Sequence, residues 1–337
     1  MAEAEERTRQ AAELAGLRSE ADRGDIPARH ELGSRLLIGR QAPLSPIEGL
    51  TLIQSAAGAG HAEAMALMAT LTAAGAYVPQ SWDGALDLLL EAAGLGSATA
   101  LGQLELLAGA PVGEANSVPG DPARLSDLRA AADIQPWLSP PPRRALCEAP
   151  RIRACEHFIP HAVCDWLIGR ARGRLQPAMM TEGYGAKPRF VATRTNSDFI
   201  FDILNADVVV VLLRSRIEAL TKMAVIAMEP PQIMHYDSGQ ELRPHFDFLQ
   251  RDPGGDGYQG DRIATFLIYL NEDYEGGQTD FPRVGLRQKG GKGDAFYFAN
   301  VDAAGAQDPL TLHAGLPPTR GEKWLFSQWI HDRPFSA

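Results

Sequence analysis

Basic residues are the scarcer charge in this 337-residue chain: 32 Lys and Arg stand against 42 Asp and Glu, for a net charge of −10, and no dense Lys/Arg run offers a footprint for phosphates. That argues against nucleic acid as a partner. Long apolar runs are missing too. No stretch approaches the ~20 residues that span a bilayer, and the opening MAEAEERTRQ lacks the basic-then-apolar order of a signal peptide. These absences predict a cytoplasmic protein with no membrane partner. The three cysteines, Cys147, Cys155 and Cys164, are odd in number and contain no CxxC pair, in a chain large enough to hold together without staples. This argues against disulfides and a thiolate zinc site and predicts buried structural thiols. The length itself suggests two domains.

The first third repeats with a period of 36. Gly24, Gly60 and Gly96 recur at that interval, and so do Ala28, Ala64 and Ala100, Ala21, Ala57 and Ala93, and the larger Leu32, Met68 and Leu104. Small residues at matched positions let helices approach closely while the large ones fill the groove between them, as in a stacked helix-pair solenoid. Within a unit, ALDLLLEAAGLG (85–96) and HAEAMALMATLTAAG (61–75) carry helical apolar spacing with glycine-bearing stops. The pattern resembles the Sel-like branch of the tetratricopeptide repeats over about residues 15–110; an ordinary helical bundle that only buttresses the second domain is the alternative. We assign residues 1–112 to the repeats and 113–147, rich in Pro, Gly and Ser, to a linker with one short helix near 123–133. Residues 148–337 form the second domain.

After one strong helix, ADVVVVLLRSRIEALTKM (206–223), this domain breaks into short strand-like runs separated by Gly, Asp and Pro clusters. The whole chain is therefore expected to be an α+β multidomain protein: an N-terminal all-α helical-repeat solenoid, then a double-stranded β-helix (jelly roll) with supporting helices. On the run ELRPHFDFL, His245 and Asp247 are two residues apart, so strand alternation turns both to one face where they can share a metal. His313, in LTLHAGLPP, is the candidate third ligand. Two imidazoles and one carboxylate on one face of an octahedral ion leave three positions open, enough for a bidentate oxoacid and dioxygen. A lone HxD is weak, and the other histidines (His30, His61, His157, His161, His235 and His331) are read as structural or solvated. Lys323, ten residues after His313, begins the strand GEKWLFSQW; if it points into the barrel, an anionic ligand explains its cost.

The runs HYDSGQELRPHFDF, RIATFLIYLN, GGQTDFP, GDAFYF and H-A-G-x-P-x-x-x-G-x-K-W resemble, in order and spacing, the catalytic domain of prolyl 4-hydroxylases. The resemblance covers about residues 150–335. It implies a hydroxylating dioxygenase that uses Fe(II), 2-oxoglutarate and O2, yields succinate and CO2, and draws on ascorbate to rescue oxidised iron. It makes His245, Asp247 and His313 the iron ligands and Lys323 the partner of the distal carboxylate of 2-oxoglutarate. Tyr236 is implied to hydrogen-bond that same carboxylate, Thr279 and Trp329 to line the cosubstrate pocket, and Arg262 to face the substrate. The expected substrate is a prolyl residue of a protein or peptide, recruited in part by the repeats. The glycine-bearing segments 181–199 and 250–261 are expected to act as lids. Other readings remain: the same chemistry on another side chain or a small metabolite, a scaffold that senses oxygen and 2-oxoglutarate, or a cupin-like metal hydrolase, which would leave Lys323 and Tyr236 without a role.

Overall fold

The computed structural model describes residues 2–113, 120–180, 189–249 and 260–335. Chain contacts divide it into two compact units, Met1–Trp137 together with Ile203–Leu213, and Leu138–Asp202 together with Arg214–Ala337.

The helical unit opens with six helices, α1 (Ala2–Asp22), α2 (Ile26–Ile38), α3 (Pro46–Gly58), α4 (Ala62–Ala74), α5 (Trp82–Gly94) and α6 (Ala98–Leu107). The period of 36 is written into their joints. Gly24, Gly60 and Gly96 take left-handed φ of 95°, 85° and 96°, a conformation open to glycine at little cost, and each turns the chain from one helix of a pair into the next. The residue after each glycine caps the new helix: Asp25, His61 and Ser97 accept the amide hydrogen of Ala28, Ala64 and Ala100, satisfying donors the helix cannot pair itself. All nine repeated apolar positions are buried. Helices α7 (Pro122–Ala131) and α8 (Gln135–Leu138) follow, so the connector does carry a short helix close to where the sequence suggested one.

The second unit is a jelly roll in which every strand pairing among the described residues is antiparallel. In chain order its elements are β1 (Arg144–Cys147), β2 (Ile152–Cys155), α9 (His161–Ala171), β3 (Gln176–Pro177), β4 (Ser197–Ile200), the part of α10 (Val208–Thr221) from Arg214 onward, β5 (Gln232–Tyr236) and β6 (Leu242–His245). There follow β7 (Arg262–Tyr269), β8 (Glu275–Gly276), β9 (Thr279–Phe281), β10 (Leu286–Gln288), β11 (Ala295–Ala299), β12 (His313–Gly315), β13 (Pro318–Arg320) and β14 (Lys323–His331). The large sheet runs β1-β2-β11-β7-β14-β5-β4-β3, the small one β10-β9-β12-β6, and β13 pairs with β8. A core of Tyr269, Phe281, Phe296, Phe298 and Leu325 lies between the two larger sheets.

Cys155 and Cys164 are buried, and burial pushes their thiols up to about 11 and about 12, so both remain protonated. Cys147 departs from the expectation of a buried thiol: it is half-buried on an outer strand, its S–H directed to the Ala149 carbonyl. Among the described residues no helix is long and apolar enough to cross a membrane.

Candidate active site

Strand pairing brings the HxD run and the distant histidine together. β12 pairs with β6 so that His313 lies directly across from His245, and their rings sit 4.3 Å apart. The strand ends at His245, so Asp247 stands just past it in a bend rather than on a continuing strand as alternation had suggested. What turns its carboxylate inward is a hydrogen bond from the Thr265 hydroxyl on β7, 2.6 Å from Oδ2; the Asn300 amide donates in turn to Thr265. Asp247 Oδ1 then faces His245 Nε2 and Oδ2 faces His313 Nε2, each at 3.5 Å. One ligand atom from each of the three lies within 4.8 Å of the others.

Both imidazoles are oriented from behind. The Nδ1 of His245 lies 2.8 Å from the Arg243 carbonyl and that of His313 lies 2.9 Å from the Thr311 carbonyl. A carbonyl only accepts, so each Nδ1 carries the proton and each Nε2 presents a lone pair to the shared centre. Burial among Phe281 and Phe298 pushes the His313 imidazole down to about 4, His245 adding to the effect and Asp247 opposing it. Burial by itself would raise the Asp247 carboxyl; His313, His245 and the Thr265 hydroxyl outweigh it and hold the group well below the usual range. The set is thus ionised at the carboxylate and neutral at His313, the states a divalent cation needs.

These residues open onto a 570 Å³ cavity between the sheets. β5 and β14 pair so that Tyr236 faces Lys323, and the Lys323 ammonium lies 5.1 Å from the Tyr236 ring centroid. Lys323 is fully buried and its Nζ has no hydrogen-bond partner among the described residues. Burial, with Lys289 as a lesser contributor, pushes it down to about 7. Gly277 makes room for this lysine: at φ +67° it approaches so closely that a Cβ would stand 2.7 Å from Tyr274 Cε2 and 3.3 Å from Lys323 Cδ. Tyr236 and Thr279 are buried and line the same cavity. An uncompensated buried ammonium beside a triad of metal donors fits a dicarboxylate that chelates the metal through its other end.

Trp329 and Arg262 line another part of the cavity. The Arg262 guanidinium is held by both oxygens of Glu229 and lies 3.7 Å from the Trp329 ring centroid, while His331 also bonds Glu229. A buried pair, Arg194 and Asp198, lines the wall with them. Of the proposed lid segments 181–199 and 250–261, residues 181–188 and 250–259 lie outside the described residues.

Thr265, Asn300 and Glu229 were missed in the sequence. Thr265 left a faint signal, a hydroxyl in the apolar run RIATFLIYLN at the same parity as Leu267. Glu229 left none, because it precedes a Pro-Pro pair outside any periodic segment.

Residues 231–331 match the profile of the 2OG-Fe(II) oxygenase superfamily. "Probable prolyl 4-hydroxylase 6" of Arabidopsis thaliana is 32% identical over 204 residues, covering 55% of this chain and 70% of that protein. A solved 2OG complex of the viral collagen prolyl hydroxylase from Paramecium Bursaria Chlorella virus-1 aligns with TM-score 0.43 at 26% identity, over 55% of this chain and 98% of the other. A Sel1 repeat protein from Oxalobacter formigenes aligns with TM-score 0.28 at 22% identity, over 37% of this chain and 51% of the other. This chain belongs to the prolyl 4-hydroxylase-like 2-oxoglutarate- and Fe(II)-dependent oxygenases. Fe(II), 2-oxoglutarate and O2 are accordingly its reactants and cofactor.

Proposed function

We propose that the enzyme hydroxylates a prolyl residue of a protein or peptide, with succinate and CO2 as co-products and ascorbate as the external reductant. The observation that carries the catalytic assignment is the occurrence, in one cavity, of the His245, Asp247 and His313 donors with the unpartnered Lys323 ammonium. Fe(II) with 2-oxoglutarate and O2, when bound, supplies the oxidant for an unactivated C–H bond. The protein does the positioning. His245 and His313 present Nε2 lone pairs fixed by backbone carbonyls, Asp247 supplies the anionic ligand oriented by Thr265, and Lys323, Tyr236 and Thr279 hold the distal carboxylate in a dry pocket. Trp329 lines the same cavity farther along β14, stacked on Arg262, which, braced by Glu229, forms the wall toward the substrate. The prolyl assignment is supported by the plant relative's name, and recruitment by the stack of helix pairs, an architecture that offers an extended binding surface.

The test is turnover with Fe(II), 2-oxoglutarate and proline-bearing peptides, reading succinate and hydroxyproline by mass spectrometry. His245→Ala should abolish succinate release, and Lys323→Ala should raise the 2-oxoglutarate requirement by roughly 10²-fold, the scale of losing a buried charged partner. Succinate formed without hydroxyproline on any peptide would sink the prolyl assignment. Tight metal and cosubstrate binding without succinate would point to a sensor instead.

A further inference from the structure

On the opposite side of the β5–β14 pair from Tyr236 and Lys323 lies a second group of metal donors. We propose that His235, Asp237 and Glu322 form a second divalent-cation site, separate from the catalytic triad. One ligand atom from each lies within 4.8 Å of the others. His235 Nε2 stands 2.9 Å from Glu322 Oε2 and 3.8 Å from Asp237 Oδ1, spacings that bracket those between neighbouring ligands about 2.0–2.2 Å from one transition-metal ion.

The donors are held for this arrangement. His235 is 7% exposed, pinned by β5 pairing with β4 on one side and β14 on the other, and its ring packs 4.3 Å from that of Trp324. Arg172, its guanidinium 5.0 Å from the Trp324 ring centroid, donates to Glu322 Oε1 at 2.9 Å, so the carboxylate splits its oxygens: one faces the guanidinium, the other the imidazole. That is how ligating carboxylates are commonly oriented, from outside the coordination sphere. Against the upward push of burial, the hydrogen bonds to Arg172 and His235 hold the Glu322 carboxyl at about 2, so Glu322 is ionised at neutral pH. Asp237 is exposed, leaving the site open to entry from solvent.

The donor chemistry selects the cation. One imidazole nitrogen with two carboxylate oxygens suits a borderline ion such as Zn(II) or Co(II), whereas Ca(II) and Mg(II) favour all-oxygen sets. The two carboxylates and Arg172 sum to a charge of −1 beside the His235 imidazole, which a bound cation would offset. Because Asp237 follows β5 and Glu322 precedes β14, the ion would staple the ends of the strands that pair Tyr236 with Lys323.

The test is calorimetric titration of the full chain with Zn(II). Wild type should take up two ions, and Asp237→Asn with Glu322→Gln should take up one. His313→Ala, which dismantles the catalytic cluster, should retain one, and adding the two isosteric changes to it should weaken that binding by about tenfold or more. Circular dichroism of each variant checks that it is folded. A single ion in wild type, or undiminished binding when Asp237 and Glu322 are neutralised, would overturn the proposal. Neither result bears on the prolyl assignment, which is read from hydroxyproline.

Discussion

Lys323 is buried with no counter-charge bonded to its ammonium among the described residues, and two opposite consequences follow from that one residue. Its ammonium sits at about 7 in the free protein against an ordinary 10.5, and only the protonated form pairs well with a dianion. The Kd for 2-oxoglutarate, measured anaerobically by calorimetry, should be flat below pH 7 and rise about tenfold per unit above it. Binding should take up protons near neutrality, seen as a dependence of the heat on the buffer. Stability runs the other way. Between about 7 and 10.5 the unfolded chain binds the proton that the folded one has shed, so this residue's contribution to stability rises with pH across that window. Lys323→Met should raise the melting temperature of the ligand-free protein while weakening 2-oxoglutarate binding, and a variant that loses both would refute the account. Thr265→Val removes the hydroxyl on Asp247 Oδ2 and should cost roughly 10–100-fold in metal affinity, measured with Co(II) as probe. The residues proposed to bond to the reactants stood out because spacing or the family resemblance exposed them. The ones that orient them did not, since Thr265 and Asn300 act across the sheet from positions with no sequence relation to Asp247.

At the scale of elements, the helical repeat was open to reading because its constraints are local: a glycine turn, the capping residue after it and small residues at fixed intervals recur in every unit. Some close approaches depend on glycine alone. At Gly33 a Cβ would stand 2.8 Å from the Gly49 carbonyl oxygen, and at Gly49 one would stand 2.7 Å from that of Gly33. Gly49→Ala should therefore push α2 from α3 and destabilise the chain by about 1–3 kcal/mol in a denaturant melt. No loss would mean that the helices separate freely there. The β domain was legible as a set of strands but not in its registers. That His313 pairs with His245 depends on non-local hydrogen bonds, and the aim of the Asp247 carboxylate depends on a side chain from β7.

At the scale of the whole molecule, the chain does not finish one unit before starting the next. Ile203–Leu213 belongs with the helical unit although it follows β4 of the jelly roll. There the amide of Val208 donates to the Gln103 side chain, and the run Val208–Leu213 is buried throughout. A fragment starting at residue 138 would strand that run without its unit, and it should aggregate or bind a hydrophobic dye where the full chain does not. A monomeric, cooperatively melting fragment would contradict this. During synthesis the same threading imposes a wait. Once Trp137 has been made, the helical unit still lacks its last piece until Leu213 follows, a delay of roughly 4–15 s at ~5–20 residues per second. The nascent repeats spend that interval with an uncovered face, which makes them a natural client for a ribosome-associated chaperone.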